Sequence, residues 1–148
     1  MESGGPSREP TPDRRTPRRR HGDGAEALVA DWLTEQGWSI LAASVRVGRD
    51  ELDLIAQEPG TPATIVFVEV RSRTSPRFGA PEETIDGAKI GRVYRAAMTL
   101  LRQRTLPDGR ALGRLPWRVD LVVVDARAWR PGASDVPELR HLRGVSPY

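Results

Sequence analysis

Two acidic residues occupy positions from which their carboxylates could act together. Asp53 falls within a strand predicted over residues 51–56, and Glu69 falls within a strand predicted over residues 64–73. The segment between them is rich in proline and glycine, which favours a hairpin turn. Pairing around that turn sets Asp53 opposite Phe67 or Glu69, so in either register both carboxylates lie on one face within a diagonal step.

Cationic residues accompany this carboxylate pair. Arg71 follows Glu69 by two positions and therefore lies on the same strand face. Lys89 is the only lysine in the chain, and it falls on the apolar stripe of a helix predicted over residues 83–104. Glu26 lies at the edge of the apolar stripe of the first predicted helix, from which it points either towards this site or into water.

This combination of side chains suits phosphate chemistry. Carboxylates on adjacent strands can hold a hard divalent cation such as Mg²⁺, and a neighbouring cationic side chain can stabilise negative charge that develops on a phosphate. Each feature also has a simpler interpretation. An acidic residue followed by arginine on a strand is a common surface pair, and a lysine on an apolar stripe often extends its ammonium into solvent.

The elements that must position these residues follow from hydrophobic periodicity. The predicted order is a helix, three strands, a second helix and one or two strands. The strand over residues 64–73 is apolar on both faces of its first half, which indicates a central position in the sheet. Within residues 51–56 the alternation places Leu52 and Leu54 on the same face. The other predicted elements are a helix over residues 23–36 with Asp23 as its N-cap, and strands over residues 38–42, 117–125 and 136–143.

Residues 1–21 form a separate segment that is rich in arginine and proline. Its lack of apolar periodicity predicts a disordered tail, and residues 22–148 are expected to form one domain. The tail carries six arginines and three acidic residues, which accounts for the whole net charge of +3. A basic arm of this kind can hold nucleic-acid phosphates without sequence preference, or it can simply be solvated.

Composition excludes several classes of protein. The chain has no cysteine, which removes disulfide scaffolds, thiolate nucleophiles and sulfur-ligated zinc sites. No apolar run approaches the roughly 20 residues that a membrane-spanning helix requires. No apolar segment follows the basic N-terminus as it would in a secretion signal, so we expect a cytoplasmic protein without a membrane partner.

Several ordered motifs across residues 22–145 resemble the YraN family of uncharacterised bacterial proteins. The motifs that carry the resemblance are Gly24-Ala25-Glu26, Glu51-Leu52-Asp53-Leu54-Ile55-Ala56, Val66-Phe67-Val68-Glu69-Val70-Arg71-Ser72-Arg73, Ile85 with Lys89 and Arg92, and Arg118-Val119-Asp120-Leu121-Val122. That family is regarded as a distant member of the PD-(D/E)xK nucleases, which include Holliday-junction resolvases. The resemblance implies an α/β, restriction-endonuclease-like fold, with a central mixed sheet flanked by helices in the order αβββαβ and an optional extra edge strand.

The resemblance also implies roles for individual residues. The metal-binding aspartate of the superfamily falls on Asp53, and the glutamate of its E-x-K element falls on Glu69. Arg71 occupies the lysine position, and Glu26 matches the acidic residue of the first helix. The implied cofactor is Mg²⁺ or Mn²⁺. In some members of the superfamily the lysine has moved to the following helix, where Lys89 stands in this chain.

Two positions depart from the expected pattern. Asp50 stands where the family usually has glycine, which we expect to alter only the entry to the strand. Arg71 is the larger departure, because arginine can stabilise negative charge but cannot act as a general base.

Three functions remain open from the sequence. The first is a metal-dependent endonuclease or resolvase-like enzyme acting on DNA. The second is a nucleic-acid-binding module that grips phosphates through cationic side chains without cutting, and the third is a protein-interaction adaptor. Resolvases typically act as dimers, which makes a homodimer one option for this chain. The candidate nucleic-acid-binding residues are Arg71, Arg73, Lys89 and Arg92.

Overall fold

Five strands and two helices form the part of the chain that the structure, a computed structural model, describes. That part comprises residues 17–73, 85–125 and 137–147, and the side chains of residues 17–23 lie outside it. In chain order the elements are α1 (Pro17–Glu35), β1 (Ser39–Val47), β2 (Asp50–Glu58), β3 (Thr64–Arg73), α2 (Gly87–Gln103), β4 (Trp117–Asp125) and β5 (Glu138–Leu142).

The strands form one mixed sheet in the order β1-β2-β3-β4-β5. β3 and β4 run parallel because α2 crosses from the end of one to the start of the other, whereas the remaining neighbours are antiparallel. The sheet therefore has the αβββαβ order expected of a restriction-endonuclease-like fold, with β5 as the extra edge strand. The fold class predicted from the sequence is confirmed.

A hydrophobic core lies on each face of the sheet. Phe67 and Leu121 pack with Ile90 and Val93 of α2 on one face. Val66 and Val68 pack with α1 on the other face, against side chains that include Val29 and Leu33. The first half of β3 is buried on both faces, which agrees with its predicted central position.

The helices differ from their predicted bounds. α1 begins at Pro17, six residues before Asp23, so the predicted N-cap lies inside the helix; most of the predicted tail, residues 1–16, lies outside the described residues. α2 begins at Gly87 because Asp86 caps it, with Oδ1 accepting hydrogen bonds from the backbone N–H groups of Ala88 and Lys89. Ile85 therefore precedes the helix and is 36% exposed, instead of lying on its buried stripe.

Neither helix of the described segments is long and apolar enough to cross a membrane.

Candidate active site

The β2–β3 hairpin brings the two carboxylates together. β2 pairs with β3 from Glu58 opposite Thr64 up to Leu54 opposite Val68, which is within the register range predicted from the sequence. The next residue of β2 is Asp53, where backbone pairing with β3 stops. Here the side chain of Asp53, rather than its backbone, binds β3: Asp53 Oδ2 accepts a hydrogen bond of 2.8 Å from the backbone N–H of Val70. Asp53 is thereby fixed beside the end of β3 that carries Glu69.

A kink in the neighbouring strand accompanies this arrangement. Ser44 of β1 has a positive φ of 51°, and its neighbours Ala43 and Val45 pair with Leu54 and Leu52, the residues on either side of Asp53. Leu52 packs in the core beneath α2, whereas Leu54 packs in the core beneath α1. The prediction that both leucines share a face is wrong, because the strand pair turns between them.

Glu69 is the buried member of the pair, with only 2% of its surface exposed. Lys89 Nζ lies 3.1 Å from Glu69 Oε1 and forms an ion pair with it, and Oε1 has no further polar partner among the described residues. Burial raises the pKa of Glu69 to about 7, and the negative charge of Asp53 adds to this effect, while Lys89 opposes it. Glu69 is therefore a buried carboxyl group next to a second negative charge, with Lys89 as the cation that offsets part of its own charge.

The first turn of α2 holds Lys89 over this carboxyl. The Asp86 cap fixes the backbone of Lys89, and Gly87 allows the C-terminal segment to cross the helix, since a Cβ at Gly87 would stand 2.8 Å from the carbonyl oxygen of Pro147. The side chain of Lys89 is 41% exposed. Lys89 thus lies at the boundary of the buried stripe, with its ammonium directed at Glu69 rather than enclosed among apolar groups.

An open cavity of about 290 Å³ lies in front of the carboxylate pair. Its charged lining comprises four acidic residues and three cationic ones: Asp50, Glu51, Asp53 and Glu69, with Arg49, Lys89 and Arg92. The cavity thus has an acidic floor and cationic groups around it, and it joins side chains from the β1–β2 turn, both central strands and α2.

The other predicted residues lie around this cavity rather than in it. Arg71 borders a smaller hollow on the far side of Lys89 and lowers the pKa of Glu69 only weakly, after burial, Asp53 and Lys89 have acted. Glu26 accepts a hydrogen bond of 3.0 Å from Ser44 Oγ and does not line the cavity. Arg73 stands at the end of β3, opposite Asp125 of β4, and also does not line it.

Asp50 has a role that the sequence did not indicate. Its carboxylate is buried and receives two hydrogen bonds from Arg95, at 2.8 Å from Nε and 2.7 Å from Nη2. These bonds hold the pKa of Asp50 below its usual value and tie the start of β2 to α2. The expectation that Asp50 affects only the strand entry is therefore wrong, because its carboxylate also binds Arg95, which lies 45 residues further along the chain.

Asp120 forms a second buried acidic centre on the α1 face of the sheet. It accepts hydrogen bonds from Arg118, from His141 at 2.7 Å and from the backbone N–H of Gly144 at 2.9 Å. Burial alone would raise its pKa, but these hydrogen bonds outweigh burial and lower it. Since all these contacts are internal, this centre stabilises the junction of β4 and β5.

The carboxylate pair fits a divalent cation by the chemistry of its donors. Glu69 Oε1 is buried without a hydrogen bond from the described residues, and Asp53 offers carboxylate oxygen beside it, which is the ligand type that Mg²⁺ and Mn²⁺ prefer. No group of three or more metal-binding side chains occurs within the described ranges. Asp53 and Glu69 would therefore hold an ion whose remaining ligands come from backbone, water or substrate.

Comparison with known proteins identifies the family of this chain. Residues 25–124 match the model of the uncharacterised protein family UPF0102, the YraN family. The chain belongs to this family. A UPF0102 protein of Symbiobacterium thermophilum is 39% identical over 108 residues, which cover 72% of this chain and 83% of that protein. A UPF0102 protein of Paenarthrobacter aurescens is 35% identical over 125 residues, covering 84% of this chain and 91% of that protein.

The segment that matches the family model contains the residues of the candidate site. The matched residues include Asp53, Glu69 and Lys89, together with Asp50 and Asp120. A UPF0102 protein of Deinococcus radiodurans is 33% identical over 121 residues, covering 82% of this chain and 88% of that protein. The resemblance to the YraN family drawn from the sequence motifs is confirmed.

Proposed function

We propose that the chain is a metal-dependent endonuclease, of the structure-selective or resolvase-like kind, that hydrolyses phosphodiester bonds of DNA in the cytoplasm. The observation that carries this proposal is the buried carboxyl of Glu69. It lies beside Asp53 at an open cavity, without a hydrogen bond to Oε1 from the described residues. Burying an incompletely compensated carboxyl is costly, and a bound cation would offset that cost.

Asp53 and Glu69 would hold the cation, and each other polar group at the cavity then has a distinct task. A bound Mg²⁺ or Mn²⁺ would supply a water of lowered pKa and neutralise charge on the phosphate. With Glu69 engaged by a cation, Lys89 would be free to donate from its ammonium to a phosphate oxygen. Arg71 adds a positive charge that does not vary with pH, because a guanidinium keeps its proton.

The raised pKa of Glu69 gives the activity a pH dependence. A protonated carboxyl is a poor metal ligand, so metal affinity rises as Glu69 loses its proton around its pKa of about 7. We therefore expect cleavage at limiting metal concentration to increase from acid pH to above neutrality. A profile that is flat across this range would contradict the role of Glu69 as a ligand.

A second candidate function is a non-catalytic nucleic-acid-binding module. It is favoured by the ion pair between Lys89 and Glu69, which compensates part of the buried charge without a metal, and by arginine in place of lysine at position 71. In this case Arg71, Arg73, Lys89 and Arg92 would contact phosphates. This function predicts salt-dependent affinity for DNA but no hydrolysis.

Cleavage of supercoiled plasmid and of a four-way junction tests the proposal. The full chain is incubated with Mg²⁺ or Mn²⁺ beside Glu69→Ala and beside Glu138→Ala, which removes an exposed carboxylate of β5. The proposal predicts cutting by the wild type and by Glu138→Ala, and none by Glu69→Ala. Equal cutting by all three would indicate a contaminant, and no cutting by a folded wild type would favour the binding module.

A further inference from the structure

The turn between β1 and β2 is attached to α2 at one point. Val47 pairs with Asp50, so the turn consists of Gly48 and Arg49, and Gly48 has the positive φ of 60° that such two-residue turns require. The ion pair from Asp50 to Arg95 ties this turn to the helix. Arg49 is adjacent to Asp50 in the chain, so this ion pair and the packing of Val47 beneath α2 together position Arg49 relative to the helix.

Arg92 of α2 is the second arginine at this cavity. It precedes Arg95 by three residues and therefore lies on the neighbouring turn of the same helix face. Arg92 and Arg49 both line the cavity that holds Asp53 and Glu69. The tie between Asp50 and Arg95 thus brings a cation from the turn and a cation from the helix to one cavity.

The charges of Arg49 and Arg92 are compensated only in part, because both lower the pKa of Asp50 at the same cavity. Arg95 is paired with Asp50, whereas neither Arg49 nor Arg92 forms an ion pair within residues 17–73, 85–125 and 137–147. Both side chains are exposed, so they can reach a ligand at the cavity. Two guanidinium groups that form no ion pair in the described segments offer a site for an anion, and guanidinium matches the oxygen geometry of phosphate.

We infer that Arg49 and Arg92 form an anion site that binds a backbone phosphate of DNA next to the phosphate positioned at Asp53 and Glu69. This inference rests on the proposed function for the identity of the ligand, and it assigns Arg49 a role that the sequence did not suggest. It implies that the substrate carries successive phosphates, as a polynucleotide does, and that an isolated phosphodiester lacks part of the binding energy. Asp50 also lines the cavity, and its ion pair with Arg95 helps to position Arg49 against the helix.

DNA binding by the double variant R49Q/R92Q tests this inference. Fluorescence anisotropy of a labelled duplex is measured with the full chain over a range of salt concentrations, with Ca²⁺ in place of Mg²⁺. The matched control is R102Q/R114Q, which removes two exposed arginines that do not line the cavity. We expect R49Q/R92Q to lose about tenfold in affinity, and the slope of log affinity against log salt to fall by about 1. The control should change neither quantity by a comparable amount.

The possible outcomes distinguish a failure of the anion site from a failure of the proposed nuclease activity. If R49Q/R92Q loses affinity while the wild type cuts nothing with Mg²⁺ or Mn²⁺, the anion site stands and the nuclease does not. Affinity and salt slope equal to those of the wild type, or an equal loss in R102Q/R114Q, would overturn the anion site. Absence of DNA binding by the wild type would overturn it as well. The single variants R49Q and R92Q provide the same test if the double variant does not fold, and each should lose part of the affinity.

Discussion

Replacing Glu69 by glutamine should stabilise the metal-free protein at alkaline pH. The carboxyl is 2% exposed, and its pKa is raised from 4.5 to about 7, so the folded state holds its proton more tightly than the unfolded state does. The stability associated with this proton is fully present below the unfolded pKa, and it is lost as pH rises through the folded pKa. Glutamine resembles the protonated form at every pH and removes this loss.

The magnitude follows from the size of the pKa shift. One pKa unit corresponds to about 1.4 kcal/mol, so the ionised Glu69 costs the folded state about 3 kcal/mol above pH 8. The free energies of unfolding of wild type and Glu69→Gln should therefore be similar near pH 4.5 and differ by about 3 kcal/mol near pH 8. Other titrating groups, such as Glu58 and Asp120 with their lowered pKa values, contribute equally to the free energy of unfolding of both proteins. Their contributions therefore cancel in the difference between the two.

Urea unfolding followed by circular dichroism, with EDTA present, measures this difference at several pH values. Mn²⁺ at about 1,000 times its Kd should then reverse the order at pH 8, because binding at that concentration contributes about 4 kcal/mol and stabilises only the protein that retains Glu69. A Glu69→Gln variant that is less stable than the wild type at pH 8 in EDTA would refute the reasoning. That result would mean that the ion pair with Lys89 compensates the buried charge completely.

The remaining predictions concern one residue of the cavity and one of the opposite face of the sheet. If Lys89 donates to a phosphate as proposed, Lys89→Met should reduce metal-dependent cleavage at least about 100-fold while circular dichroism shows an intact fold; activity equal to the wild type would reject this role. Asp120→Ala should lower the free energy of unfolding by about 3 kcal/mol in urea denaturation, since it leaves Arg118 and His141 without their shared buried partner. A loss below about 1 kcal/mol would contradict the structural role of that centre.

Local patterns in the sequence predict the central elements of the fold. β3 and β4 have the predicted bounds because both strands are rich in β-branched residues, and the first half of β3 and most of β4 are buried on both faces. The register of the β2–β3 hairpin follows from the single short turn that joins the strands. The convergence of Asp53 and Glu69 needed only this register, so it could be derived before any coordinates were known.

Features that depend on distant partners could not be derived in the same way. Ser44 carries no signal that it adopts a positive φ, since serine rarely does so, and no local pattern marks the change of face between Leu52 and Leu54. The pair formed by Asp50 and Arg95 joins residues 45 positions apart. Charge alone offers many candidate partners for each residue, and only the packing of α2 on the sheet selects one.

Direct measurement of Mn²⁺ binding tests the central claim, which is that Asp53 and Glu69 together hold a divalent cation. Titration followed by electron paramagnetic resonance reports the free ion, and it requires no substrate. The wild type and Glu138→Gln should bind Mn²⁺ with affinity that rises as pH increases through 7, whereas Asp53→Asn and Glu69→Gln should lose binding. Binding of equal affinity by all four proteins, or no binding by the folded wild type above pH 8, would contradict the account.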